Sequence, residues 1–270
     1  MTAARRPVWW EEFPTAAFHS LDAMRTVAIL PLAAVEQHGP HLPVGTDAFI
    51  NRGLLDVLID KLPADLDLRI LPVQSVGKSN EHLHAPGTLT LPPSVLIEAW
   101  TEIGLSVARA GIRKLVMLNS HGGNEEVIGI VARELRVRAG MLVVKTSWSR
   151  FGSPDGLLSD NEKRHGIHGG DSETSLMLRL RETLVDMTKA EDFVSVAARD
   201  EQRFALLRPT GTHAYAWIAS DLNDKGTVGN AANASAARGQ AIAQHQTDGL
   251  IQLLHDVVRA ELPADSRYQT

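Results

Sequence analysis

The sequence contains no cysteine, which excludes disulfide bonds, thiol catalysis and thiolate metal ligands. A chain without cysteine suits a reducing compartment, so we expect this protein to be cytoplasmic. Its 270 residues are enough to bury a large apolar core without cross-links or structural metals. Any metal ion that it binds is therefore expected to serve chemistry rather than folding.

Basic clusters and long apolar runs are also missing. With a formal net charge of -5 and no block of lysines and arginines, the chain lacks the feature that binds nucleic-acid phosphates. No stretch has the ~18 apolar residues of a membrane span. The basic start, residues 1–6, runs into Trp9, Trp10, Glu11 and Glu12, which leaves no apolar core for a secretory signal. We expect a small-molecule substrate as partner, and neither nucleic acid nor a membrane.

Short apolar runs alternate with helix-like segments along the chain. The run from Thr26 to Leu32 is continuous, as in strands buried within parallel sheets, and apolar residues at helical spacing begin at Ile50. Repeated alternation of this kind predicts a three-layer α/β/α fold with a mostly parallel sheet. Strands are predicted at residues 26–32, 68–73, 115–118 and 141–144, and helices at residues 50–59, 92–111, 124–140, 171–180 and 233–261.

The ends of the third predicted helix carry recognisable signals. Asn124 is predicted to be its N-cap, and Gly140 is predicted to end it. Residues 195–229 give only weak signals, and no element is predicted there. Because the chain has no internal repeat and no linker-like stretch, residues 1–270 are predicted to form a single domain.

Three polar, histidine-containing turns stand at the ends of predicted elements, where ligands bind in open α/β sheets. In the first, Glu36 and His38 are two residues apart and point the same way in an extended segment, and Asp47 lies where a carboxylate can bridge two cations. The second, residues 121–124 (His-Gly-Gly-Asn), lets the backbone approach a ligand closely, and the third covers residues 165–175. Such turns converge in this fold, which predicts a metal site whose carboxylate and imidazole ligands suit zinc, manganese or ferrous iron.

Each of these residues also has a structural explanation. A histidine at a strand end is more often a hydrogen-bonded loop residue than a ligand. Glu36 alone could be a surface carboxylate or a helix cap, and Asp47 alone could be an N-cap. Residues 121–124 could simply form a tight connection between a strand and a helix. We favour the metal site because all of these explanations would have to coincide at successive junctions. Ser120 and His121 are not predicted to be a catalytic pair, because adjacent strand residues point to opposite faces.

The motifs resemble those of the creatininase (creatinine amidohydrolase) family. The matching segments follow the family's order within residues 27–180, and residues 226–231 give a fainter match. Any one match would be weak, but together they are specific. The segments are Glu36–Pro43 with Thr46–Asp47, Glu81–His82 with Pro86–Leu89, His121–Asn124 and His168–Ser175.

The resemblance implies two divalent metal ions, zinc or manganese with iron as an alternative. It makes Asp47 the ligand that bridges both ions. Glu36 and His121 then complete the first metal site. His38 and Glu173 complete the second. Members of the family assemble as homo-oligomers, often hexamers, and the resemblance implies the same for this chain.

The chemistry that the resemblance implies is hydrolysis by a water activated at the metals, while the second metal polarises the substrate carbonyl. His168 passes a proton to the leaving nitrogen. Trp148 lies where creatininase stacks an aromatic side chain on its substrate, and a place in the core or an interface is the alternative. His41, His82 and His84 are expected to line the pocket, with a solvated loop as the alternative for His84.

One pair of residues departs from the family pattern. Gly122 and Gly123, which are also expected at the substrate, stand where enzymes that act on creatinine carry a Tyr-Glu pair. The glutamate of that pair is tied to one metal and to activity, so its absence argues against creatinine as the substrate. The Gly-Gly pair resembles relatives that deformylate purine-precursor formamides or trim a peptide during cofactor maturation.

The sequence therefore predicts a metal-dependent hydrolase that cleaves a C–N bond in a small cyclic amide, lactam or formamide. The first alternative keeps the metals and acts on a peptide, or on a C–C bond of a cyclic ketone from sugar or cyclitol breakdown. The second alternative is a non-catalytic metal-dependent binding protein, for which an open two-metal site with a proton shuttle would be unnecessary.

Overall fold

A central sheet of four parallel strands organises the computed structural model, which describes residues 6–262. The predicted domain also includes residues 1–5 and 263–270, which lie outside the described residues. The strands are β1 (Val27–Leu32), β2 (Leu68–Ile70), β3 (Lys114–Asn119) and β4 (Leu142–Ser147). Their order in the sheet is β2-β1-β3-β4.

Helices cover both faces of this sheet. A separate antiparallel ribbon is formed by β5 (Asp192–Phe193) and β6 (Gly229–Asn230). The α-helices within the described residues are α1 (Thr46–Asp60), α2 (Pro93–Arg109), α3 (Glu125–Ala139), α4 (Asp160–His165), α5 (Asp171–Arg181), α6 (Val196–Arg203), α7 (Ala219–Leu222) and α8 (Ala236–Arg259).

The sheet divides the core into two apolar clusters. Val27 and Ile29 of β1 belong to one cluster, which also takes side chains from α1, α5 and α8. Ala28 and Leu30 belong to the other cluster, which takes side chains from α2 and α3. Successive strand residues point to opposite faces, so a strand that is apolar at every position needs helices on both sides. The structure thus confirms the predicted three-layer α/β/α fold with a mostly parallel sheet.

The two predicted ends of α3 have different outcomes. Gly140 ends the helix in the left-handed conformation, with φ of 63°, as predicted. Asn124 precedes the helix, but its side chain does not cap it. Instead, the side chain accepts a hydrogen bond from the Lys78 N–H at 2.9 Å and donates one to the Ala33 carbonyl at 3.1 Å. Asn124 is therefore at the predicted N-cap position, but its side-chain amide joins two loops at the edge of the sheet instead of capping the helix.

Other element boundaries differ from the sequence prediction for local reasons. Strand β2 ends at Ile70, before the predicted end, because the register with β1 then slips by one residue: Gln74, and not Val73, donates to the Pro31 carbonyl at 2.9 Å. Residues 195–229, where no element is predicted, contain the short helices α6 and α7. Helix α8 begins at Ala236 because the hydroxyl of Ser235 caps it. Within residues 6–262, no helix combines the length and apolarity needed to cross a membrane.

Helices α5 and α8 approach each other closely because α8 carries Gly239 at their contact. A Cβ atom on Gly239 would lie 1.9 Å from the carbonyl oxygen of Ser175. We expect Gly239→Ala to lower the free energy of unfolding by about 1–3 kcal/mol, because the backbone that the methyl group meets cannot rotate away. This loss exceeds the ~1 kcal/mol by which alanine favours an exposed helix over glycine. Urea unfolding measures the change.

Gly129 on α3 provides the matched control. A Cβ atom there would meet only the Lys145 ammonium nitrogen, at 3.6 Å. Gly129→Ala is therefore expected to raise the free energy of unfolding by ~0.5–1 kcal/mol. Equal effects of the two substitutions would contradict the packing explanation.

Candidate metal centre

The chemically active side chains gather at the carboxyl edge of the sheet, because parallel strands all end at that edge. Glu36 and His38 lie in the loop that follows β1, and Asp47 lies in the first turn of α1. His121 follows β3, and Glu173 lies in the first turn of α5. The structure thus brings all five predicted ligands into one cluster.

His121 faces two of these carboxylates. Its Nδ1 atom lies 3.1 Å from Oε1 of Glu36 and 3.3 Å from Oδ2 of Asp47. Its Nε2 atom lies 2.8 Å from the Lys78 carbonyl, an acceptor, so the proton of the neutral ring sits on Nε2. Nδ1 therefore presents its lone pair to two carboxylates, an arrangement that a bound cation stabilises.

His38 has the same arrangement on the other side of Asp47. Its Nε2 atom lies 3.3 Å from Oδ1 of Asp47 and 3.8 Å from Oε2 of Glu173. Its Nδ1–H group donates to the Glu36 carbonyl at 3.0 Å, so the lone pair is on Nε2. Asp47 thus presents one oxygen to His38 and the other to His121, as a bridging carboxylate would.

The buried acceptors of this cluster lack hydrogen-bond donors. Among the described residues, the Glu36 carboxylate, Oδ2 of Asp47 and Nε2 of His38 have no hydrogen-bond partner unless the facing imidazoles are protonated. All three residues are at most 1% exposed, and burying unpartnered carboxylates is strongly unfavourable. Divalent cations would satisfy these atoms. Oxygen and imidazole donors without thiolates suit zinc, manganese or ferrous iron, so the residues fit two such ions.

Without metal, the carboxylates draw protons onto the two facing histidines. Burial lowers the pKa of His38, but the surrounding carboxylates, first that of Asp47, outweigh burial and raise the pKa to about 10. Burial also lowers the pKa of His121, and the carboxylates of Glu36 and Asp47 reverse this and hold it well above its ordinary value. A metal that binds here must displace these protons.

The carboxylates respond to the same charges. Burial raises the pKa of Glu36, yet the facing His121 outweighs burial and holds this pKa below its usual range. Burial dominates at Glu173, where it raises the pKa to about 7. The Glu173 side chain is 26% exposed, and its Oε2 atom accepts a hydrogen bond from the Gly169 N–H at 2.6 Å. That hydrogen bond sets the direction in which the carboxylate points.

His168 lies beside the cluster with its proton directed away. Its Nε2 atom is 2.8 Å from the Gln37 carbonyl, so Nε2 is the donor, and Nδ1 lies 3.6 Å from Oε1 of Glu36. The ring centroids of His168 and His38 are 4.2 Å apart. Burial, together with the charge of His38, lowers the pKa of His168 to about 3. The ring is therefore neutral, with a lone pair at Nδ1 that can take a proton.

The sequence does not predict the residues that hold these histidines. The side-chain amide of Gln37 donates to Nδ1 of His82 at 2.8 Å, and Nε2 of His82 faces Oε1 of Glu36 at 3.4 Å. Asn119 accepts a hydrogen bond from the His121 N–H at 3.2 Å and donates one to its carbonyl at 2.5 Å. His82 is predicted to line the pocket, and it does, but its contacts with Gln37 and Glu36 are not predicted.

A cavity of about 1000 Å³ opens onto the cluster. The predicted substrate contacts Trp148, Gly122 and Gly123 line it. Trp148 is nonetheless only 2% exposed and donates its indole N–H to the Asn51 side chain at 3.3 Å, so it also belongs to the core. The lining further includes Glu36, His82, His121, Lys163, His168, Glu173, Tyr215 and Trp217.

His41 and His84 do not line this cavity, in contrast to the prediction. The Nε2 atom of His41 contacts Oγ1 of Thr174 at 2.9 Å and the Gly169 carbonyl at 3.0 Å. Its ring stacks on Phe193 with centroids 5.4 Å apart, and burial lowers its pKa to about 4. His41 therefore supports the turn that leads into α5, whereas His84 is exposed in its loop, the alternative stated for it.

Solved structures with the same fold define the class of the protein. A creatininase in its manganese form superposes with a TM-score of 0.73 at 24% identity, with 94% of this chain and 100% of that chain covered. A mutant creatininase of the Zn–Zn type gives a TM-score of 0.72 at 26% identity, with the same coverage of 94% and 100%. The fold and the clustered side chains together define a hydrolase of the metal-dependent α/β class.

Sequence comparisons then identify the family. The family model described as "Creatininase: Creatinine amidohydrolase" matches residues 11–254, so this chain belongs to the creatininase family, as its motifs predict. It is 28% identical to the creatinine amidohydrolase of Pseudomonas putida, over 94% of this chain and 95% of that protein. It is 27% identical to the mycofactocin precursor peptide peptidase of Mycolicibacterium smegmatis, over 87% of each. A 3-dehydro-scyllo-inosose hydrolase of Thermotoga maritima is 25% identical over 85% of this chain and 77% of that protein.

Metal uptake by the metal-free protein is expected to release protons at pH 7. His38 and His121 are protonated there, since their pKa values are raised, and each binds a metal only as a neutral ring. The affinity should therefore rise as the pH is raised from 6 to 8 and fall as it is lowered. Calorimetric titration with Zn²⁺ in two buffers of different ionisation enthalpy measures the released protons. Uptake without proton release would contradict the pKa directions given above.

Proposed function

We propose that this chain is a metal-dependent amidohydrolase that cleaves a C–N bond at a site for two divalent ions, zinc or manganese with iron as the alternative. The proposal is supported chiefly by buried carboxylate oxygens and imidazole nitrogens that face one another around Asp47 and find no hydrogen-bond donor in the part of the chain that the structure describes. Asp47 would bridge the two ions. Glu36 and His121 would complete the site of one ion. His38 and Glu173 would complete the site of the other.

Ions bound in this way would lower the pKa of a water molecule and polarise a carbonyl group. The protein itself contributes orientation and proton transfer. Nδ1 of His168 faces the cluster with a free lone pair, so it can take a proton and pass it to the leaving nitrogen. The Gln37 carbonyl holds the other ring nitrogen as a donor and so determines which nitrogen acts.

Small cyclic amides, lactams and formamides are the first substrate class of the proposal. Gly122 leaves room for a substrate, because a Cβ atom there would meet nothing within 4 Å. The Pseudomonas putida relative is named as a creatinine amidohydrolase, which acts on such a ring. The Gly122-Gly123 pair still argues against creatinine itself, for the reason given from the sequence.

Peptides are the second substrate class, and the size of the cavity favours them. A volume of about 1000 Å³ lies at the upper end of the ~300–1,000 Å³ that is usual for small-molecule pockets. The Mycolicibacterium smegmatis relative is named as a peptidase of a precursor peptide. Cleavage of a C–C bond in a cyclic ketone is the alternative to this proposal, which the name of the Thermotoga maritima hydrolase favours.

Assembly and location stay predictions. The homo-oligomer, a hexamer by family resemblance, rests on that resemblance alone. The cytoplasmic location rests on the absence of cysteine. Neither is needed for the chemistry, because one chain supplies the whole cluster of ligands.

A substrate panel tests the proposal on protein whose zinc or manganese content has been verified. The panel contains creatinine, formamides, lactams, short peptides and cyclic ketones. Turnover of an amide, formamide or peptide supports the proposal, and the preferred size distinguishes its two substrate classes. Cleavage of C–C bonds alone, or no turnover by the metal-loaded protein, contradicts it. Formation of creatine would show that Gly122 and Gly123 are compatible with creatininase activity.

Asp47→Ala is expected to remove both metals and to abolish turnover, because its two oxygens face the two ligand histidines. We expect kcat/KM to fall by more than ~100-fold, which is the loss typical when a residue that hydrogen-bonds a metal ligand is mutated. Elemental analysis gives the metal content, and Asp60→Ala at the exposed end of the same helix is the matched control. Full metal content with full activity in Asp47→Ala would overturn the proposal.

His168→Ala is expected to keep both metals and to lower kcat by ~10²–10⁴-fold, the usual contribution of a general acid or base. This variant separates the enzyme from a non-catalytic metal-binding protein, in which His168 would be dispensable. Metal content and kcat are measured on the same preparation. Unchanged kcat would exclude the proton-transfer role, and loss of a metal would make His168 a ligand instead.

A further inference from the structure

The outer side of His121, away from the ligand cluster, carries a second group of polar atoms. Its Nε2 atom lies 2.8 Å from the Lys78 carbonyl and 3.3 Å from the Ser79 hydroxyl. It also lies 3.7 Å from Oε1 of Glu81. The segment 78–81 therefore surrounds the ring nitrogen that does not face the metal site.

Glu81 is held in this position rather than free in solvent. Its Oε2 atom pairs with the Lys78 ammonium group at 2.8 Å, and its side chain is only 11% exposed. Asn124 fixes the start of the same segment, because its side chain accepts a hydrogen bond from the Lys78 N–H at 2.9 Å. The carboxylate of Glu81 thus has a defined place beside the ring of His121.

That place exists only because residue 123 is glycine. A Cβ atom on Gly123 would lie 2.1 Å from Oε1 of Glu81 and 2.5 Å from Nε2 of His121. It would also lie 2.5 Å from the Lys78 carbonyl, which is backbone and cannot turn aside. Gly123 does not have a positive φ, so glycine is needed for space and not for backbone conformation. Gly122 has open space instead, with nothing within 4 Å.

We infer that Glu81 is a positioning residue of the metal centre, which acts through the outer nitrogen of His121. A carboxylate near Nε2–H stabilises the positive charge that the ring gains when Nδ1 donates to a metal, and so makes Nδ1 a stronger ligand. Gly123 is the residue that leaves room for this contact. The inference rests on the proposed function, because it presupposes that His121 binds a metal.

The experiment measures Zn²⁺ affinity by competition with a chelator, on the full chain. Glu81→Gln keeps the shape of the side chain and removes its charge, and it is expected to weaken Zn²⁺ binding by about 10- to 100-fold. Gly123→Ala is expected to weaken binding as well. Glu98→Gln, an exposed acid on α2, and Gly129→Ala on α3 are the matched controls and should leave the affinity unchanged.

Lys78→Met tests whether Glu81 acts only as the partner in an ion pair. Asn124 still binds the backbone N–H of residue 78 in this variant, so the carboxylate is expected to stay near His121, and Zn²⁺ binding should weaken less than in Glu81→Gln. An equal loss in Lys78→Met and Glu81→Gln would overturn the inference. Thermal unfolding of the metal-free proteins identifies any variant that does not fold. If Gly123→Ala does not fold, the Zn²⁺ affinity of Glu81→Gln tests the inference by itself.

The outcomes also separate this inference from the proposed function. Wild-type protein that takes up no Zn²⁺ would overturn the proposed metal centre itself. Wild-type protein that binds two ions, beside a Glu81→Gln variant of unchanged affinity, would overturn only the role of Glu81. A weaker Glu81→Gln variant beside unchanged controls supports the inference.

Discussion

The buried carboxylates of Glu36 and Asp47 are the constraint on which the rest of the site depends, because within residues 6–262 both oxygens of Glu36 and Oδ2 of Asp47 lack a hydrogen-bond partner. Such groups are stable in a protein interior only beside cations. In the metal-free chain, protonated His38 and His121 meet this need, and both rings have their other nitrogen bound to a backbone carbonyl. One electrostatic requirement therefore accounts for the orientation of the rings, for their raised pKa values and for the fit to divalent metals.

The histidines at this site differ widely in pKa although they lie close together. Carboxylates on one side of His38 raise its pKa to about 10, whereas burial beside His38 lowers the pKa of His168 to about 3. His41 contacts the turn that leads into α5, and burial lowers its pKa to about 4. Two carboxylates face His38 and one faces His168, and the charge of His38 lowers the pKa of His168 further. The backbone carbonyls then select which ring nitrogen faces the cluster.

The central sheet, the long helices and the cluster of five side chains were predictable from the sequence, because they depend on local periodicity and on where polar turns follow strands. The two-residue strands β5 and β6 were not, since they are too short to show a period. The contacts of Asn124 and His41 were not predictable either. Both depend on backbone groups in distant loops, and no local pattern reports where those groups lie. The motif loop after β2 contained Glu81 and His82, but the direction of their side chains required the fold.

Because Gly123 and Glu81 are in contact, a substitution at one of these positions restricts which residues the other can carry. A side chain at position 123 would begin 2.1 Å from the carboxylate of Glu81 and 2.5 Å from the Lys78 backbone carbonyl, so the carboxylate or its loop would have to move. A lineage that gains a side chain at position 123 must give up this carboxylate or rebuild the loop that carries it. Glycine at position 123 and the acid at position 81 are therefore expected to change together among related sequences. An alignment of related sequences tests this expectation without knowledge of any substrate.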